Sequence, residues 1–185
     1  MVGLKIKVAL FATIISLGFA SAGKIMESDS SEGAQLNNFE RAEQLSPLIN
    51  VTWSVDFDNE TVTFDVSALT SAYVGFGFSS EGGMYNADMV TGGVDNNGVT
   101  YFQDRYSASI GEPVVDMEQN WSLISAREAR GITNLRFVRD FDTGDVQDLP
   151  IQDQETYFIW AIGSADGINY HPERGNFRVN ILQPK

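Results

Sequence analysis

The chain has 185 residues, 25 of them acidic against 12 basic, for a net charge of −13, with one histidine and no cysteine. That acidic balance repels nucleic acid and anionic membrane, so neither is an expected partner. The lack of cysteine removes disulfides, redox thiols and thiolate metal sites, and leaves a hydrophobic core as the means of stability.

In chain order, Lys5 and Lys7 precede an uncharged run from Val8 to Phe19, which ends in Ala20-Ser21-Ala22. A basic flank, an apolar run too short for the roughly 20 residues of a membrane-spanning helix, and a small-x-small site make a signal peptide over residues 1–22. Cleavage after Ala22 leaves 163 residues, enough for one domain, carrying about −15 and secreted to the extracellular space. The C-terminal Asn180 to Lys185 has no hydrophobic tail of the kind a lipid-anchor signal needs, so no membrane anchor is expected. Residues 23–45 read as a flexible leader, since Glu27 to Asn38 is nearly devoid of apolar side chains, with a turn or two of helix expected over Phe39 to Leu45.

From residue 46 the pattern is that of strands. Val51, Trp53, Val55 and Phe57 occupy every second position, and so do Val62, Phe64 and Val66 after Asp58-Asn59, which predicts a hairpin. Further β-type runs follow at Tyr73–Phe78, Met89–Val94, Val99–Gln103, Trp121–Ile124, Leu135–Val138, Tyr157–Ala161 and Phe177–Ile181, with a turn signal at Asp95-Asn-Asn-Gly98. Such short strands, nine to eleven of them, predict an all-β antiparallel sandwich over residues 46–185. Three sequons begin at Asn50, Asn59 and Asn120, and Asn59, in the hairpin turn, is the favoured glycan acceptor among them.

Several segments also carry a resemblance in their joint order and spacing. They are Tyr73-Val-Gly-Phe-Gly-Phe-Ser-Ser80, Gly83-Met-Tyr-Asn-Ala-Asp-Met-Val90, Tyr101-Phe-Gln-Asp-Arg-Tyr106, Arg139-Asp-Phe-Asp-Thr-Gly-Asp145, Phe158-Ile-Trp-Ala161 and Tyr170-His-Pro-Glu-Arg-Gly175. Over roughly residues 46 to 183 the chain resembles the DOMON domains, most of all those attached to copper-dependent monooxygenases. The resemblance implies an immunoglobulin-like fold of two packed antiparallel sheets.

The copper chemistry of the larger relatives is not expected here. Their metal sites use several histidines, and this chain has only His171. No Gly-x-Ser-x-Gly elbow surrounds a serine, and the glycines Gly75, Gly77, Gly82 and Gly83 fall in strand or turn patterns rather than before a helix. An autonomous enzyme is therefore not expected.

The resemblance leaves two functions open. Haem-binding members hold a b-type haem between a methionine and a histidine, and the matching positions are filled by Met84 and His171. That pairing makes a one-electron carrier with no open coordination position, serving a redox partner. Arg174 would then neutralise a propionate, Tyr73, Phe76 and Tyr170 would rim the pocket, and Met89 would be core packing. The axial atoms must stand about 4–5 Å apart across the ring. Haem-free members are recognition domains, here for a sugar, a small ligand or a partner protein, and placement of Met84 and His171 at opposite ends of the sandwich would favour that reading. A calcium ion is a further expectation, because Asp88, Asp95, Asp104, Asp116, Asp140, Asp142 and Asp145 fall at strand ends. Outside a haem protein Arg174, like Arg105 beside Asp104, reads as a structural fork at a sheet margin.

Overall fold

The structure, a computed structural model, describes residues 38–185. The residues expected as a signal peptide and most of those expected as a leader lie outside the described residues. What is described is all β, with eleven strands and no helix among the described residues: β1 (Phe39–Ser46), β2 (Ile49–Asp56), β3 (Thr61–Ala68), β4 (Val74–Ser79), β5 (Ala87–Val94), β6 (Thr100–Ser107), β7 (Val114–Val115), β8 (Ser122–Ala129), β9 (Ile132–Asp140), β10 (Glu155–Ile162) and β11 (Glu173–Asn180).

The strands form two antiparallel sheets. One has five strands in the order β1-β2-β3-β9-β8, the other six in the order β11-β10-β4-β5-β6-β7. Alternation explains the packing of the first sheet. Val51, Trp53 and Val55 of β2, Val62, Phe64 and Val66 of β3, and Leu135 and Phe137 of β9 are buried, and the residues between them are half-buried or exposed. Phe76, Phe78 and Phe158 of the second sheet meet them, and Phe64 stands at the centre with five aromatic neighbours whose ring centroids lie 5.5–6.1 Å away. Each such ring contributes about 1.5–3 kcal/mol by leaving water.

The helix expected over Phe39 to Leu45 is instead strand β1. Its residues alternate, with Phe39, Arg41, Glu43 and Leu45 half-buried and Glu40, Ala42 and Gln44 exposed, and it pairs with β2 from Phe39↔Val55 onward. A neighbouring strand satisfies the backbone where a helix of two turns could not nucleate alone. β1 therefore occupies the last part of the segment expected as leader.

The central strands β4 and β5 are buried along nearly their whole length. On the outer side, Met89 packs with Ala87 and Ile159, in keeping with its reading as packing. This closeness depends on Gly77, where an added Cβ would run into the Asp88 carbonyl and Met89.

Candidate functional site

The polarity of β4 decides the fate of the methionine–histidine pair. Tyr73 enters β4, whose Val74 pairs with Ile162, the last residue of β10; His171 lies just before β11, whose first residue Glu173 pairs with the same Ile162. Met84 follows the other end of β4, where Ser79 pairs with Tyr157. There the 80–86 turn is fixed by the Gly83 amide donating to Ser79 Oγ at 3.1 Å and by Asn176 Nδ2 donating to the Gly82 carbonyl at 2.8 Å. The strand between the two ends is six residues long, roughly 20 Å at the usual rise. Met84 and His171 thus stand at opposite ends of the six-stranded sheet, and this chain's residues do not fit a haem held by that pair.

The remaining residues expected around the haem divide in the same way. Tyr73 and His171 do come together, with Tyr73 Oη 3.1 Å from His171 Nδ1 and donating to the Asn169 carbonyl at 2.9 Å. Because the tyrosine proton is committed to that carbonyl, the network assigns the imidazole proton to Nδ1 and leaves Nε2 as an acceptor. Burial, and then the Arg174 guanidinium, hold His171 below its ordinary pKa, and burial raises that of the Tyr73 phenol. Tyr170 lies parallel to the His171 ring at 6.0 Å and is 73% exposed. Phe76 is a core residue between the sheets, packed on Phe64 and Phe158, and rims no pocket. Arg174, the second residue of β11, is exposed.

The other concentration of polar groups lies inside the sandwich. One carboxylate oxygen from each of Asp88, Asp104 and Asp148 lies within 4.8 Å of the other two, and all three residues are buried. Asp88 is held by three groups. Trp121 Nε1 donates to Oδ1 at 2.8 Å, and Oδ2 accepts from Arg139 Nη1 at 2.6 Å and from the Leu149 amide at 2.9 Å. Arg139 also donates to the Leu149 carbonyl at 2.7 Å and stands 3.9 Å from Asp148. Asp104 Oδ2 accepts from the Asn120 amide at 2.8 Å, whereas Asp104 Oδ1, Asp116 Oδ2 and Asn120 Oδ1 are buried without a hydrogen-bond partner.

One guanidinium cannot neutralise four carboxylates in so dry a place. Burial pushes Asp88 up to about 6 against the pull of Arg139, and burial together with the carboxylates of Asp88, Asp148 and Asp116 pushes Asp104 up to about 7. Oxygen atoms lacking donors, clustered with excess negative charge, are what a hard cation coordinates.

Sequence reasoning found Asp88, Asp104 and Asp116 of this centre and missed Asp148, Asn120, Trp121 and Arg139. A signal for two members was present. Asp88 shares the inward phase of Val90, and Arg139 that of Leu135 and Phe137, so an acid and a base both point into the core. The other aspartates do local work instead: Asp95 Oδ1 accepts from the Asn97 and Val99 amides, Asp142 from Gly144 and Asp145 from Gln147, each closing a turn, and Asp140 is exposed. Arg105 bears out its structural reading, tying Thr91 Oγ1 and the Pro113 carbonyl together.

Comparison with known proteins agrees with this architecture. The family model described as "DOMON domain" matches residues 45–163. The chain is 36% identical over 147 residues to MOXD1 homolog 2 of Drosophila melanogaster, covering 78% of this chain and 18% of that protein. It is 36% identical over 129 residues to DBH-like monooxygenase protein 1 of Homo sapiens, with 67% and 21% covered, and 32% identical over 144 residues to dopamine beta-hydroxylase of Rattus norvegicus, with 74% and 23% covered. The chain therefore spans about a fifth of the length of these relatives. Among solved structures, the cytochrome domain of Myriococcum thermophilum cellobiose dehydrogenase superposes with a TM-score of 0.56 at 14% identity, covering 77% of this chain and 80% of that one. The cytochrome b domain of pyranose dehydrogenase from Coprinopsis cinerea gives 0.54 at 14%, covering 72% and 79%. At that identity the likeness is one of fold.

Proposed function

The chain belongs to the DOMON family, and from that premise we propose that it works as a haem-free extracellular recognition domain of the type found in monooxygenase relatives. The observation that carries this reading is the separation of Met84 and His171 by the length of β4. The cytochrome neighbours support the alternative, a b-type haem electron carrier, only through shared fold. On our reading, recognition takes place at the His171 end, where Tyr170 presents an exposed ring backed by the imidazole, which Tyr73 and Asn169 fix in turn. A flat aromatic face of this kind suits the apolar side of a sugar ring or a similar small ligand.

Two measurements test the proposal. Secreted protein titrated with hemin is expected to give no Soret band that shifts on dithionite reduction; a band lost in His171→Ala would overturn it. On a carbohydrate array, binding that disappears in Tyr170→Ala is the expected result, and binding unchanged by that substitution would move the site elsewhere.

We further assign to the buried acidic centre a calcium-like cation that ties together β5, β6 and the segments bearing Asp116, Asn120 and Asp148. Its support is the set of buried oxygens without donors. Calcium at about a hundred times its dissociation constant should add roughly 2.7 kcal/mol of stability, read as a rise in melting temperature. A curve identical with calcium and with chelator would remove the ion.

A further inference from the structure

Asn50 and Thr52 are the first and third residues of a sequon on β2, and the period of the strand sets both on the same outward face. Asn50 is exposed, and among the described residues neither side chain makes a hydrogen bond. The other two sequons differ. Asn59 Nδ2 donates to Asp56 Oδ2 at 2.8 Å, so its amide already serves the turn. Asn120 turns its Oδ1, buried and without a partner, to the interior beside Asp104.

Asn50 also stands at the rim of an open groove of about 520 Å³ at one end of the five-stranded sheet. Its cross-strand neighbours are Gln44 and Ser67, which line the same groove, and its apolar lining comes from Leu48, Leu69 and Ile132. Leu69 is 57% and Ile132 38% exposed, an apolar area with no protein cover among the described residues. That volume is in the range of small-molecule sites, roughly 300–1,000 Å³. Small polar outward side chains beside exposed leucine and isoleucine offer hydrogen bonds to hydroxyls and contact to a ring's C–H face.

We propose that Asn50 carries an N-linked glycan and that its first sugar lies in this groove, covering Leu69 and Ile132. Attachment forms a bond between Asn50 Nδ2 and the anomeric carbon of an oligosaccharide donor. The bond from that carbon to the donor's polyprenyl diphosphate breaks, the diphosphate leaves with the electron pair, and the amide loses one proton. No oxidant or reductant is needed. The occupant is fixed by position, because a sugar tethered to Asn50 is held at the groove by its own linkage, at an effective concentration on the order of millimolar.

The test uses the full chain secreted from animal cells. Glycopeptide mass analysis should find Asn50 modified, and Thr52→Ala should lose that glycan alone. Under native conditions an endoglycosidase should remove the Asn50 glycan at least about tenfold more slowly than after denaturation, and Leu69→Ser or Ile132→Ser should restore fast cleavage. Both substitutions are at exposed positions, where changes typically cost within about 0.5 kcal/mol, and either variant alone suffices. An unmodified Asn50, or cleavage equally fast in the native protein and both variants, overturns the proposal. Neither outcome bears on haem or on Tyr170, so this inference and the proposed function fail separately.

Discussion

Arg139 is the side chain on which most depends. Fully buried, it faces Asp88 at 2.6 Å and lies over the Trp121 and Phe78 rings at 5.1 and 5.5 Å. Arg139→Ala should cost about 3–5 kcal/mol, because it leaves a carboxylate in the core without its counter-charge; urea unfolding reads this, and a loss under about 1 kcal/mol would show the pair to be dispensable. His171 gives a prediction of opposite chemical sense. Its folded pKa lies below the ordinary 6.5, chiefly through burial, so the unfolded chain binds a proton there more readily. Stability from this residue is present above about pH 6.5 and declines as the pH falls below it. The difference in stability between wild type and His171→Gln should therefore depend on pH between about 7 and 5, and a flat difference would contradict it. In the sequence the histidine was conspicuous by its solitude, and its partner Tyr73, 98 positions away, entered only as one of three aromatic residues that the family resemblance set around it. Which of the three would touch it was not legible, because that contact is created by the sheet order.

Among the elements, strands with strict alternation were legible and those without it were not. β2 and β3 could be read from Val51, Trp53, Val62 and Phe64 alone. β1 was hidden because Glu40, Arg41, Ala42 and Glu43 compose equally well into a helix, and the deciding factor, hydrogen bonding to β2, is tertiary. β7 was hidden for another reason: two exposed valines pairing with Arg105 and Tyr106 carry no period at all. The hairpin between β8 and β9 turns on Arg130 and Gly131, both at positive φ, a conformation that the arginine does not advertise in the sequence. β4 supplies the element-scale prediction. Gly77→Ala should destabilise by about 1–3 kcal/mol, as overpacked sites do, because its Cβ meets the backbone of β5 rather than a side chain that can swing aside. Gly83→Ala, with nothing within 4 Å of the new atom, is the matched control and should be close to neutral.

For the whole molecule, the sandwich was foreseeable from strand number and spacing, but which loops share an end was not, and the ligand pair failed on that account. Each end is fixed by contacts between residues far apart in sequence. Trp53 Nε1 donates to the Ile181 carbonyl at 3.0 Å, and Arg41 reaches the carbonyls of Asn180 and Gln183, binding β1 and β2 of one sheet to the tail that leaves the other.

Between the two sheets, Arg139 of β9 and Asp88 of β5 are a guanidinium and a carboxylate in an interior otherwise dominated by apolar side chains. Apolar surfaces tolerate sliding, since one branched residue substitutes for the next at small cost. A charged pair does not: a displacement of two residues in either sheet would strand both charges in hydrocarbon. The pair thus works as a key cut for one alignment, penalising every near miss while adding little to the native state itself. Replacing the charged cluster together, as Arg139→Met with Asp88→Leu, Asp104→Asn and Asp148→Asn, is predicted to keep the protein folded, while its amide resonances broaden as the sheets sample neighbouring alignments. Sharp, singly populated resonances in that combined variant would mean that shape alone chooses the alignment.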